Sequence, residues 1–212
     1  SAASDVYKRQ VDDIGERNDY VRFPSKWERN EEVFNILDNE TGNNTEVTIA
    51  CAVQALNIHY IPDFLKWKLE NGFKKINMWP FGAGGINYHF VYHPPHLNVK
   101  VLPNWFKDEV ERKYEDFIPW WEENWERGVP SWHKGKVTQE QWRNESYGIN
   151  RLRGMVNFMK SEDWSQRMPE FREYITKLDK IRGTDFCKTF PEMARLLAVS
   201  YTHLTLPTIL LV

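Results

Sequence analysis

The hydrophobic pattern is densest between Glu46 and Gly84. The run EVTIACAVQALN is almost unbroken in apolar and small residues, the pattern of a strand covered on both faces. Period-two alternation sends Val47, Ile49, Cys51 and Val53 to one face, and Thr48, Ala50, Ala52 and Gln54 to the other. Ile61, Phe64, Leu65 and Leu69 then recur at helical spacing, with Pro62 suited to a first turn and Asn71-Gly72 to a stop. Lys74 to Phe81 predicts a returning strand. Strand, helix and strand make a βαβ unit with a right-handed crossover, which predicts an α/β fold with parallel strands. Ligands of such a sheet lie beyond the carboxyl ends of its strands, here near Asn57 and Trp79 through Phe81.

Before this unit, Val11 to Gly15 has the pattern of a strand end entering a turn, and Glu16 to Pro24 that of a polar loop. Ser25-x-x-Glu28 has capping-box spacing, and Trp27, Val33, Phe34 and Leu37 form one helical face. The order up to Phe81 suits half of a parallel α/β barrel or an open sheet. After the permissive turn GAGG, residues 86–103 predict an aromatic loop with a short strand at Leu97 to Leu102. Helices are predicted at Asn104 to Glu115, Pro119 to Arg127, Ile149 to Lys160, Pro169 to Arg182 and Pro191 to Leu197, with Thr138-x-x-Gln141 capping another. The reading is thus a barrel-like part over residues 11–84 and a loop-rich, mainly helical extension over 85–198.

Both ends stand apart. SAASDVYKRQ (residues 1–10) and VSYTHLTLPT resemble read-through of a transposase-type sequencing adapter. A nucleotide string that encodes the first encodes VSYTHLTLP when its reverse complement is read in another frame. Residues 1–10 and 199–212 are therefore set aside as adapter-like, with few contacts to the body expected. The native part reads as a fragment.

A net charge of −2 gives no polyanion-binding signal, so no nucleic-acid partner is expected. Two cysteines, Cys51 and Cys187, point to a reducing, cytoplasmic setting and cannot by themselves hold an iron–sulfur cluster or structural zinc. No apolar run is long enough for a membrane helix, so no membrane partner is expected.

Most candidate chemistry has a plainer explanation. His89, His93 and His96 lack an accompanying carboxylate or cysteine in their loop and suit packing or substrate contact better than a metal. Asp108 to Asp116 alternates acids with Lys107, Arg112 and Lys113, as a solvated helix face does. Trp120, Trp121 and Trp125 suit a core. GAGG lacks the Lys-Ser/Thr of a phosphate loop. Arg17 and Arg22 follow a strand's carboxyl end, where a guanidinium fork suits a carboxylate or phosphate, although a structural role fits equally.

The stretch Asp12-Asp13-x-x-Glu16-Arg17-x-x-Tyr20-x-Arg22-x-Pro24-x-x-Trp27 resembles the segment after the fourth barrel strand of radical S-adenosylmethionine enzymes, in particular the twitch-domain-containing kind. Similarity continues through Val53-x-x-Leu56-Asn57 with its Pro62 helix, Tyr92-His93-x-x-His96-Leu97 to Leu102-Pro103, and Leu178-Asp179-x-x-Arg182-Gly183-Thr184-Asp185-Phe186 with Pro191-Glu192. The resemblance spans Val11 to Leu197. It implies a partial (β/α) barrel, a 4Fe-4S cluster, and reductive cleavage of S-adenosylmethionine to a 5′-deoxyadenosyl radical that abstracts hydrogen from a small-molecule or peptide substrate. It further implies that Arg22 and Asn57 contact S-adenosylmethionine and that Trp79 and Phe81 border its adenine or the substrate. The family's Cys-x3-Cys-x2-Cys loop has no counterpart here, so this chain alone is expected to be inactive. The alternative is a non-catalytic α/β binding module whose aromatic loop, residues 88–96, grips a partner.

Overall fold

A computed structural model describes residues 5–39, 45–73, 76, 85–129, 135–144 and 148–198. The fold is α/β, with three parallel strands in the order β1-β2-β3: β1 (Asp5–Gln10), β2 (Thr45–Val53) and β3 (Ile86–Phe90). The chain divides into two compact units, Ser1–Phe171 and Arg172–Val212. Residues 85–171 thus share a unit with the sheet, and the division falls well after position 84.

Residues 1–10 make more than the few contacts with the body expected of them: Asp5–Gln10 pairs with β2 from Asp5↔Thr45 to Gln10↔Ala50, and Val11 N–H continues the ladder to the Ala50 carbonyl at 3.0 Å. The expected strand end at Val11 is therefore extended backwards by Asp5–Gln10. A ladder is made of backbone groups, so it accepts residues of any origin that can extend. Residues 199–212 lie outside the described residues.

Gly15, at φ 58, turns the chain from β1 into α1 (Gly15–Val21). In α2 (Trp27–Asn39), Trp27, Asn30, Phe34 and Asp38 are buried along one stripe. β2 is covered on both faces as its composition predicts: Val47, Thr48, Ile49, Ala50, Cys51 and Val53 are all buried. A turn over 54–57 and a 3₁₀ turn over Ile58–Tyr60 lead into α3 (Ile61–Glu70), which has Pro62 in its first turn and ends at Asn71 and Gly72. Trp67 packs against Trp27, Phe34 and Phe73 and so joins α3 to α2.

The strand expected at Lys74 to Phe81 lies outside the described residues except for Ile76, which is buried and donates its N–H to Asp38. The strand that pairs with β2 is Ile86–Phe90, part of the stretch read as an aromatic loop. The short strand expected at Leu97 to Leu102 is instead two 3₁₀ turns, Pro95–Leu97 and Val99–Val101. Asn98 explains the difference: its side chain accepts Lys100 N–H and donates to the Val91 carbonyl, which curls the backbone locally.

The helices expected on either side of Pro119 are one, α4 (Asn104–Glu123). An internal proline removes an N–H and costs about 3 kcal/mol. Burial of Phe117, Ile118 and Trp121 around it offsets that loss. Thr138 and Gln141 form the expected reciprocal cap of α5 (Gln139–Asn144). α6 (Ile149–Lys160) packs on α4 and adds Arg153–Glu115 and Lys160–Asp108 ion pairs. Among the described residues, no helix is long and apolar enough to cross a membrane.

Helix α7 (Met168–Arg182) runs into the second unit, which continues with α8 (Phe186–Thr189) and a 3₁₀ turn over Pro191–Leu196 in place of the expected last helix. The Leu178-to-Phe186 motif is a helix-end lock. Asp179 accepts the Thr184 hydroxyl at 2.8 Å and Phe186 N–H at 2.9 Å across the left-handed Gly183.

Candidate functional site

The carboxyl ends of β1 and β2 gather a connected set of buried and half-buried polar groups. Asp12, 2% exposed, takes Arg22 Nε at 2.6 Å and Nη2 at 3.2 Å, while its Oδ1 also accepts Ala52 N–H at 2.7 Å. Asn57 is fully buried at the end of β2. Its Nδ2 donates to the carbonyls of Asp12 at 2.8 Å and Ala52 at 3.0 Å, and its Oδ1 accepts Gln54 N–H at 2.8 Å. One amide therefore joins two strand ends and shapes the turn into α3. The Cys51 thiol points to the Asp12 carbonyl at 3.6 Å, and burial pushes it well above its ordinary pKa. It is a packed thiol, not a reactive one.

A second group lies beside the first. Asp13, 1% exposed, accepts Ile14 N–H at 2.8 Å and Arg17 Nε at 3.0 Å. Burial raises its carboxyl from 3.8 to about 7, with Arg17 pulling the other way. The Arg17 guanidinium carbon lies 4.3 Å from the centre of the Tyr60 ring. Lys113 Nζ, from α4, sits 5.0 Å from the same centre and 2.6 Å from Asp63. Tyr114 anchors α4 here through a 2.8 Å hydrogen bond from its hydroxyl to the Ile58 carbonyl.

Of the residues singled out from the sequence, the structure brings Arg22 and Asn57 together through Asp12. Trp79 and Phe81 lie outside the described residues. Asp12, Asp13, Tyr60, Asp63 and Lys113 were missed. The Asp12-Asp13 pair directly after an apolar strand end was a usable signal; Lys113, fifty positions from Asp63, gave none.

Elsewhere, His89 and His93 are exposed and His96 half-buried, and among the described residues no cluster of His, Cys, Asp or Glu could hold a metal ion. The acidic stretch of α4 pairs with Lys160 and Arg153, but two of the cations interleaved with it do not belong to a solvated face: Lys107 is buried and donates to the Glu162 carbonyl, and Lys113 reaches Asp63 on α3. Trp121 is buried against Trp142, as a core tryptophan should be.

Comparison with family models, curated proteins and solved structures returns no match. A cluster does not fit this chain: its two cysteines are the buried Cys51 and Cys187 of the second unit. For S-adenosylmethionine, Arg22 stands at the right end of the sheet, but its fork is held by Asp12, and the Asn57 amide is spent on backbone groups.

Proposed function

We propose that this chain forms the carboxyl-terminal half of a radical S-adenosylmethionine enzyme: parallel strands of a partial barrel, followed by a helical extension. The cluster-binding cysteines would come from residues outside this sequence. One observation carries the reading. Three of the four stretches bearing the resemblance, those of the first unit, are far apart in sequence yet meet at the carboxyl ends of β1, β2 and β3. Asp12 bonds Ala52 and Asn57, the Ala55 N–H reaches the Leu97 carbonyl at 2.8 Å, and Asn98 reaches Val91 at 2.9 Å. This is where a parallel sheet presents ligands. In this reading the cofactors supply the radical chemistry, and these residues orient and shield the substrate. The setting is reducing and cytoplasmic, and the substrate is a small molecule or peptide.

The test is to express the coding sequence extended upstream, load it with iron and sulfide without oxygen, reduce it with dithionite and measure 5′-deoxyadenosine from S-adenosylmethionine. Product formation that depends on an upstream Cys-x3-Cys-x2-Cys loop supports the assignment. A cluster-loaded protein that forms no 5′-deoxyadenosine, or an upstream sequence without the loop, removes it.

A binding module is favoured by one feature: Tyr92 is 56% exposed and rests edge-on against Phe158 at the end of β3. Capture of a partner that is lost in Tyr92→Ala, with no cleavage of S-adenosylmethionine by the extended protein, would select that reading.

A further inference from the structure

One residue between α6 and α7 is held at three of its atoms. Glu162 takes Lys100 Nζ on Oε1, Trp164 Nε1 on Oε2 at 3.0 Å, and Lys107 Nζ on its main-chain carbonyl at 2.8 Å. The two lysines come from different elements, the 3₁₀ turn over Val99–Val101 and α4, and are 7% and 1% exposed. Glu162 keeps 55% of its own side-chain surface exposed. The Lys100 head is restrained further by the Phe158 and Trp164 rings, whose centres lie 4.5 and 5.4 Å away.

Lys107 is the anomaly. A buried ammonium is ordinarily paired with a carboxylate. Among the described residues, its one hydrogen-bond acceptor is the neutral Glu162 carbonyl, which leaves two N–H groups unspent. Burial lowers its pKa; Asp163 opposes that shift, and the Lys100 and Lys160 charges add to it. Neither Asp163 nor Lys160 is hydrogen-bonded to it: Asp163 accepts Ser165 N–H at 2.9 Å, and the Lys160 head is spent on Asp108 and Glu111.

We propose that Lys100, Lys107 and the Trp164 indole N–H form a site for a phosphate group, with the Glu162 carboxylate as its built-in occupant. All three donors meet on one residue, so a ligand that displaces its carboxylate finds them already gathered. Lysines act as point charges without the fork that fits a planar carboxylate, and a phosphate offers oxygens in several directions. Cation–π contact holds the Lys100 head before the ligand arrives, so less rotamer freedom is lost on binding. Glu162, exposed at its tip, can turn into water while the buried heads stay in place. It thereby gates the site, because the ligand binds only the fraction of molecules in which Glu162 has swung out. The phosphate has two sources of the same chemistry: the free ion, or a phosphate monoester whose organic part lies on Phe158 and the exposed Tyr92 against it. None of these residues belongs to the set around Asp12 and Asn57, so the site stands or falls apart from the reading above.

The experiment uses this chain as it stands. Inorganic phosphate and phenyl phosphate are titrated in turn, with sodium chloride at matched ionic strength as the control. The Trp164 indole signal, assigned through Trp164→Phe, is followed by proton–nitrogen NMR in wild type, Glu162→Ala and Lys100→Met, with circular dichroism confirming that each variant folds. The wild-type signal should shift saturably with phosphate and not with chloride. Glu162→Ala removes the occupant and should tighten phosphate binding roughly tenfold, whereas Lys100→Met should weaken it by a similar factor. Tighter binding of phenyl phosphate than of the ion assigns a phosphate ester; equal binding assigns the free ion. A Trp164 signal that neither phosphate moves in Glu162→Ala, that chloride moves equally, or that saturates unchanged in a folded Lys100→Met overturns the proposal. Because Glu162 is exposed, Glu162→Ala keeps the test decisive even where Lys100→Met does not fold.

Discussion

Asp12 grips Arg22 through both carboxylate oxygens, at 2.6 and 3.2 Å, from a position 2% exposed. Because Oδ1 also accepts the Ala52 N–H, this carboxylate fastens the end of α1 to β2. Asp12→Ala strands a guanidinium and a buried N–H together and should destabilise the fold by about 3–5 kcal/mol. Asp12→Asn keeps an acceptor for Ala52 and should lose less. Urea midpoints for both variants check this; two values within about 0.5 kcal/mol of wild type would show that the pair is incidental.

Asn57 makes a sharper chemical prediction. Two of its contacts are donated to carbonyls, so an acid of the same shape meets two acceptors where it needs donors. Asn57→Ala should cost about 2–4 kcal/mol, and Asn57→Asp more at neutral pH despite its closer shape. Thermal melts rank the two. The opposite order at pH 7 contradicts the assigned orientation of the amide.

Two buried groups shape the pH dependence in opposite ways. Asp13 titrates at about 7 in the fold against an ordinary 3.8, so the folded state holds a proton that the unfolded chain has released. Its contribution is full at low pH and falls as pH rises from about 4 to about 7. Lys68 is lowered from 10.5 to about 7 by burial, with Asp38 opposing, so its contribution grows from about 7 to 10.5. Each slope is at most about 1.4 kcal/mol per pH unit. Relative to wild type, Asp13→Asn should flatten the acid limb and Lys68→Met the alkaline one. Denaturation at a series of pH values reads both, and parallel curves for variant and wild type exclude the group concerned.

Strand β1 covers one edge of β2. Deleting residues 1–10 should bare that edge and drive concentration-dependent association, visible by sedimentation velocity. A deletion variant that stays monomeric and equally stable would show that the pairing contributes nothing.

What the sequence disclosed depended on whether local signals agreed. For α3, spacing, Pro62 and Asn71-Gly72 all pointed to one helix, and its bounds match. β2 was legible because its apolar run left no polar face. α4 was misread because Pro119 is a strong local break signal, whereas the burial of Phe117, Ile118 and Trp121 that overrides it is tertiary. The alternation of Ile86, Tyr88 and Phe90 was present but was read as loop beside the proline-rich stretch that follows. At the site, strand-end position pointed to Arg17 and Arg22 alike and to Asn57, and the resemblance singled out Arg22 and Asn57. How each arginine is held depends on whether Asp12 or Asp13 reaches it, and spacing does not encode that.

The ladder between β1 and β2 is specified by peptide groups, so its outer lane works as a socket for interchangeable parts. Because the rungs are backbone groups, the seat selects for extension and length more than for a particular text. A synthetic peptide bearing a fluorophore, offered to the chain lacking residues 1–10, should dock in the vacated lane and report on it. The same scaffold would then serve as one half of a split reporter, its signal set by how readily the second half competes for that lane.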